Sequence, residues 1–265
     1  MRIVSNPAIL RIEFDGRPAS AEQLRLPALV NYGHFTAMQV RSGKVRGLEL
    51  HLQRLDASTR ELFDAELDHD RVRDHIRHAL GDDIGDASVR VYVFGPDTAD
   101  AVSIMVTVRG PATMPSAPHR LKAVPYQRPV PHIKHIGGFG QIYYGRLAER
   151  DGFDQALLTG PGGVIAEGAI TNIGFFDGTT VTWPEAPALQ GITLQLLEPR
   201  LDGAGLPSRR STVCLADLPS FEAVFITNSQ GIAPVGRIDD LTFPVGVDLM
   251  KTLAQVYETV PWDTI

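Results

Sequence analysis

The stretch PHIKHIGGFGQ, residues 131–141, sets Lys134 between two histidines, directly behind a proline-rich run and directly ahead of Gly137-Gly138. By position alone that lysine reads either as a solvated surface charge or as the covalent anchor of a carbonyl-bearing group. What flanks it has to decide. Upstream, the run from Gly110 to His132 holds Pro111, Pro115, Pro118, Pro125, Pro129 and Pro131. Proline at that density excludes a helix interior and a central strand, because each proline removes a backbone donor. The early part of this run therefore reads as a connection between two halves. Downstream, GQIYYGRLAERDG (140–152) predicts a helix ended by Gly152.

Composition bounds the possibilities. The chain has 265 residues, 43% hydrophobic and 21% charged, enough for one large domain or two medium ones. The net charge of −6 and the lack of a Lys/Arg cluster exclude a nucleic-acid partner. No apolar run approaches the roughly 20 residues a membrane span needs. The opening stretch MRIVSNPAILRIEFDG (1–16) lacks the apolar core of a signal peptide, so the expected location is the cytoplasm. The one cysteine, Cys214, reads as a small apolar residue in the strand-like RRSTVCLAD (209–217), and no Cys/His spacing suggests a metal.

The first half of the chain, up to Gly110, reads strand, strand, helix, helix, strand, strand. ILRIEF (9–14) alternates Leu10, Ile12 and Phe14; FTAMQVRSGKVRG (35–47) is a hairpin turning at Ser42-Gly43. LELHLQRLDASTRELFD (48–64) and DHDRVRDHIRHAL (68–80) have helical spacing. SVRVYVFG (88–95) and SIMVTVRG (103–110) are strands joined by the acidic loop PDTADA (96–101). In the second half QALLTG (155–160) and 163–183 predict a meander of short strands. GITLQLLEPRLDGAG (191–205) predicts a helix, EAVFITNSQGIAPVGRIDD (222–240) a strand pair, and GVDLMKTLAQVYETV (246–260) a closing amphipathic helix.

Four motifs follow one another: HLQRL (51–55), the lysine before Gly-Gly, AEGAITNI (166–173), and LQGIT (189–193) followed by TNSQGIAPV (227–235). Each is weak alone. In this order, and with the spacing from Lys134 to Glu167, they resemble the class IV aminotransferases. These are the fold-type IV enzymes that use pyridoxal 5′-phosphate, and they include branched-chain and D-amino-acid transaminases, amine transaminases and aminodeoxychorismate lyase. The resemblance runs from about residue 31 to residue 240. It implies an α/β (α+β) fold of two domains with the cofactor in the cleft between them. The small N-terminal domain would take residues 1–112, a linker 113–120, and the large cofactor-binding domain 121–265. It also implies a homodimer, with no nucleic-acid or membrane partner.

The resemblance assigns roles residue by residue. Lys134 is the Schiff-base lysine, since the cofactor's aldehyde needs an amine to hold it. Glu167 is the carboxylate that keeps the ring nitrogen protonated, because an opposite charge favours the charged form. Arg54 contacts the phosphate. Gly191, Ile192 and Thr193 offer backbone donors at a helix start, and Thr227, Asn228 and Ser229 close the phosphate cup from the other side. Thr171 and Asn172 line the ring face. The implied reaction moves an amino group from an amino acid or amine to a 2-oxo acid; the alternative is a lyase that releases pyruvate.

Departures from the family pattern bear on substrate. Phe35 and Thr36 stand where branched-chain enzymes read Phe-Glu, and Gln39 stands where they place an arginine. Phe139 replaces the tyrosine that bonds the cofactor's phenolate oxygen. Phe94 and the acidic loop after it replace the arginine of D-amino-acid enzymes. Phe35, Gln39 and Arg128 are the candidate substrate contacts. With Gln39 and Phe94 as neighbours, the expected partners are monocarboxylates rather than dicarboxylates.

Overall fold

The computed structural model describes residues 8–95 and 102–265, without the side chain of Leu26. Its chain falls into two compact units: residues 1–113, 133–137 and 261–265, and residues 114–132 with 138–260.

Unit 1 is an antiparallel sheet backed by helices. In chain order it has β1 (Ile9–Phe14), β2 (Arg17–Pro18), α1 (Ala21–Leu29), β3 (His34–Val40), β4 (Lys44–Arg46), α2 (Leu48–Phe63), α3 (His69–Leu80), β5 (Ala87–Phe94) and β6 (Ser103–Arg109). The sheet order is β2-β1-β6-β5-β3. Strict alternation decides its faces. Val89, Val91 and Val93 of β5 and Met38 and Val40 of β3 point into a core filled by Leu48, Leu52 and Leu55 of α2 and Val72 and Ile76 of α3. Ser42 and Gly43 turn the hairpin with φ of 49° and 69°, the left-handed pair that suits a two-residue connection. Asp68 caps α3, accepting from the N–H groups of Asp70 and Arg71.

Unit 2 carries β7 (His119–Pro125), α4 (Phe139–Arg150), β8 (Gln155–Thr159), β9 (Ile165–Gly168), β10 (Asn172–Phe176), β11 (Val181–Pro184), α5 (Ile192–Leu201), β12 (Ser208–Ser211), β13 (Ala223–Asn228), β14 (Gly231–Ile238), β15 (Leu241–Thr242) and α6 (Val247–Glu258). Its sheet runs β12-β11-β10-β13-β14-β7-β8-β9, with β15 on β14. The chain then returns to unit 1 as β16 (Trp262–Thr264), paired with β4. Among the described residues no helix is long and apolar enough to cross a membrane.

Three differences from the sequence reading have physical causes. The proline-rich run contains β7, a central strand parallel to both β14 and β8. Its interior, Arg120 to Val124, is free of proline; Pro118 lies just before it and Pro125 at its last position, where a missing donor costs least. Cys214 is not in a strand: β12 ends at Ser211, and Cys214 pairs with Val164 in an isolated bridge and donates its N–H to Asp217 Oδ2 (2.8 Å) at the start of a 3-10 turn. Residues 133–137, read with the second half, belong to unit 1. The N–H of Phe35 donates to the carbonyl of Lys134 (2.9 Å), and that of Ile136 to Gly33 (3.0 Å), so the lysine segment is laced onto the start of β3. The acidic loop 96–101, with Asp97 and Asp100, lies outside the described residues.

Candidate active site

The residues singled out in the sequence divide between the units. Unit 1 holds Phe35, Gln39, Arg54 and Lys134; unit 2 holds Arg128, Glu167, Thr171, Asn172, Gly191, Ile192, Thr193, Thr227, Asn228 and Ser229.

In unit 1 the backbone ladder from 33–35 to 134–136 sets Lys134 beside Phe35. Its Nζ lies 4.9 Å from the centroid of the Phe35 ring, within cation–π range. Arg54 is half-buried on α2. One turn earlier, His51 is buried and its Nδ1 shares a 2.6 Å hydrogen bond with Thr36 Oγ1. Burial first, then the positive charges of Arg54 and Lys134, lower the His51 pKa to about 3, so the imidazole is neutral at physiological pH. His51 stands three residues before Arg54, the spacing that sets both on one face of α2. Gln39 is already engaged at both ends. Its Nε2 donates to Ser88 Oγ (3.0 Å) and its Oε1 accepts from the N–H of Ala112 (3.0 Å).

In unit 2 the strands converge on the start of α5. Glu167, on β9, is buried; its Oε1 lies 3.2 Å from Arg128 Nη1, and its Oε2 accepts from the N–H of Leu189 (3.2 Å). Arg128 also donates to the carbonyl of Pro131 (2.9 Å). The arginine considered as a substrate contact is thus paired with the acid considered as the ring partner. Thr171 Oγ1 donates to Gln155 Oε1 (3.1 Å). Asn172 donates to the carbonyl of Leu189 (2.7 Å) and stands opposite Thr227 in the β10–β13 register. A Cβ at Gly191 would press on Asn172 Oδ1, so a larger residue there would displace the amide that holds the Leu189 carbonyl. The N-cap of α5 is Gly191, which has no side chain to satisfy the first N–H groups of the helix, those of the buried Ile192 and Thr193. Thr193 Oγ1 donates to the carbonyl of Asn228 (2.7 Å), tying the helix start to the β13–β14 turn that carries half-buried Ser229. The Thr227 hydroxyl beside it is fully buried and has no partner among the described residues.

An uncapped helix start with an unsatisfied buried hydroxyl is a cradle for an anion such as a phosphate. The buried carboxylate of Glu167 is reached through Leu189, two residues before Gly191. Unit 2 thus offers donors for a phosphate and an acid for a cationic ring.

The sequence profile of the family described as amino-transferase class IV matches residues 33–238. The chain belongs to this family. Class IV aminotransferases use pyridoxal 5′-phosphate, and the chain is a pyridoxal-phosphate enzyme of this type. No curated protein matches it. Solved structures share the fold. A branched-chain aminotransferase from Thermoproteus uzoniensis, with norvaline, superposes with a TM-score of 0.82 at 19% identity, covering 95% of this chain and 94% of that one. A candidate 4-amino-4-deoxychorismate lyase from Legionella pneumophila gives 0.81 at 21% identity, covering 89% and 93%. A hypothetical aminotransferase from Mycobacterium tuberculosis, in its PLP-bound form, gives 0.77 at 21% identity, covering 89% and 90%. The fold of this class IV chain is therefore that of fold-type IV aminotransferases.

Proposed function

We propose that this class IV enzyme is a transaminase that transfers an amino group from an amino acid or amine to a 2-oxo acid, with Lys134 as the lysine that bonds the cofactor. The observation that carries the reading is in unit 2: a buried carboxylate, Glu167, and a cluster of anion-binding donors at Gly191–Thr193 and Thr227 are joined through Leu189 and Asn172. These are the partners that the two ends of pyridoxal phosphate require.

The cofactor, when bound, supplies an electron sink for the bond broken at the substrate's α-carbon. The chain's residues do the rest. Arg54 and the N–H groups at the start of α5 offset the phosphate charge. Glu167 holds a proton on the ring nitrogen. Lys134 Nζ would hold the cofactor at its aldehyde carbon. It then takes the proton from the substrate α-carbon as general base and later returns a proton as general acid. His51, neutral and hydrogen-bonded to Thr36, adds no third charge beside Lys134 and Arg54.

A homodimer is supported by α4. Its Phe139, Ile142 and Tyr143 are 81%, 58% and 48% exposed at i, i+3 and i+4, an apolar run that a second copy would cover. Light scattering should give twice the 28.9 kDa chain mass.

Mixing the enzyme with amino donor alone decides the main reading. A transaminase converts its bound cofactor to the pyridoxamine form, seen as loss of the long-wavelength absorbance. Release of pyruvate from aminodeoxychorismate with no acceptor present, and no such conversion by any donor, would identify the lyase instead.

A further inference from the structure

We propose that Asp263 is a positioning residue for the cofactor's phosphate: it caps α2 from 215 residues away and thereby sets the side chain of Arg54. The inference rests on the reading of Arg54 as the phosphate contact.

The chain enters α2 in a way that leaves no room for a local cap. Gly47, between β4 and the helix, has φ of 71° and ψ of 40°, the left-handed region that glycine adopts without steric cost. Serine, threonine, aspartate and asparagine cap helices from extended backbone instead. The direct turn from β4 into α2 therefore selects a residue with no side chain to accept from the first helical N–H groups.

β16 supplies what Gly47 lacks. It pairs antiparallel with β4, with Trp262 opposite Arg46, Asp263 opposite Val45 and Thr264 opposite Lys44. The two strands form a small sheet of their own, so β16 adds nothing to the ladder of the main sheet of unit 1. Side chains along it alternate: Asp263 is half-buried and Ile265 is buried in the core cluster of Val45, Leu48 and Leu52, while Trp262 and Thr264 are exposed. The inward Asp263 reaches past the end of β4, and its Oδ2 accepts from the Leu48 N–H at 2.9 Å. Ile265 anchors this register on one side. On the other, the Arg46 guanidinium carbon lies 4.5 Å from the centroid of the Trp262 ring. A carboxylate also suits the positive end of a helix.

The turn that Asp263 caps leads to the functional side chains. The His51 N–H donates to the Gly47 carbonyl at 3.2 Å, and the His51 ring is bonded to Thr36. Arg54 follows three residues later on the same face. Helices open from their ends, so the order of residues 48–54 depends on the cap at Leu48. With the cap in place, binding of the phosphate does not have to order the helix that carries Arg54.

Equilibrium dialysis of the full chain with pyridoxal phosphate and with pyridoxal, which lacks the phosphate, tests the role. Asp263→Ala should weaken pyridoxal phosphate about 2- to 30-fold, the affinity equivalent of losing a helix cap, and leave pyridoxal unchanged. Asp263→Asn keeps an oxygen for Leu48 and should recover most of the loss. In an Arg54→Ala background Asp263→Ala should have no further effect. Equal losses for the two ligands, or an undiminished loss in the Arg54→Ala background, would overturn the proposal and leave Asp263 a stabiliser of unit 1 alone. The wild-type chain gives a test that needs no variant to fold. Coupling is reciprocal, so saturating pyridoxal phosphate should slow hydrogen exchange across residues 48–54 more than saturating pyridoxal does. Equal protection by both would also overturn it. If Asp263→Ala leaves the affinity unchanged while Arg54→Ala lowers it, the proposal alone fails. If Arg54→Ala lowers neither, the reading of Arg54 fails and the proposal with it.

Discussion

Arg128 Nη1 lies 3.2 Å from Glu167 Oε1, and the two side chains are only 3% and 7% exposed. The pair is buried inside unit 2, with the N–H of Leu189 on the second carboxylate oxygen. Buried pairs are weak sources of net stability, yet breaking one is costly because the remaining charge stays in a poor solvent.

Arg128→Met should therefore lower the stability of the folded chain by about 3–5 kcal/mol. Glu167→Gln keeps the shape, but it leaves Arg128 without its carboxylate and the cofactor ring without its acid. Amino transfer should fall by orders of magnitude, since each ~1.4 kcal/mol of barrier is tenfold in rate. Urea denaturation and donor half-reactions measure the two effects. Wild-type turnover in Glu167→Gln would show that the acid serves only the ion pair.

Lys134 should carry the cofactor. Borohydride reduction followed by peptide mapping is expected to find the pyridoxyl group there. The backbone hydrogen bonds from Phe35 to Lys134 and from Ile136 to Gly33 hold this residue in unit 1. A label on Lys122, which pairs with Asp151 at 2.6 Å, or on Lys251 of α6 would refute the assignment.

Arg54 should hold the phosphate. A charge-assisted hydrogen bond to such a group contributes roughly 1.5–3 kcal/mol. Arg54→Ala should then weaken cofactor affinity about 10- to 150-fold, with partial rescue by excess cofactor. Unchanged affinity in an equilibrium dialysis titration would reduce Arg54 to a helix charge.

Much of this architecture is local and so was legible in the sequence. The Ser42-Gly43 turn, the alternation of β5 and the periodicity of α2 and α3 each leave a pattern within a few residues. What was missed depends on partners far along the chain. β7 is a strand because β8 and β14 flank it, and the prolines around it masked a proline-free core. α1 has Pro27 inside and a weak apolar face. Its start was readable, however: the Gln23 N–H donates to Ser20 Oγ and the Ser20 N–H to Gln23 Oε1, a capping box. The motif order picked out Arg54, Lys134 and Glu167 but could not show that Glu167 meets Arg128, that Gln39 is tied to Ala112, or that Asp263 pairs opposite Val45. Those are matters of register, and register is fixed only when the sheet forms.

Acid should destabilise unit 1 earlier than its carboxylates would. His51 has a pKa lowered to about 3 and His34 to about 4, both chiefly by burial, against 6.5 for a free histidine. His34 is held by Thr59 Oγ1 at 3.0 Å, with its Nδ1 buried and unpartnered among the described residues, and His51 by Thr36. The folded chain thus keeps both rings neutral while the unfolded chain takes up protons below pH 6.5. The unfolded state binds more protons, so stability falls as the pH falls. The contribution is fully present above pH 6.5 and is lost as pH drops from there towards the folded values, about 4 for His34 and about 3 for His51. At pH 5 each histidine should have cost about 2 kcal/mol, from about 1.36 kcal/mol per pH unit over the interval below the free value. Urea denaturation of the wild-type chain at pH 7 and pH 5 measures the loss. His51→Gln removes one titrating ring, so its stability should drop by about 2 kcal/mol less over the same interval. An identical drop in the variant and the wild type would show that His51 is not the buried neutral ring described, and that the acid sensitivity comes from elsewhere in the chain.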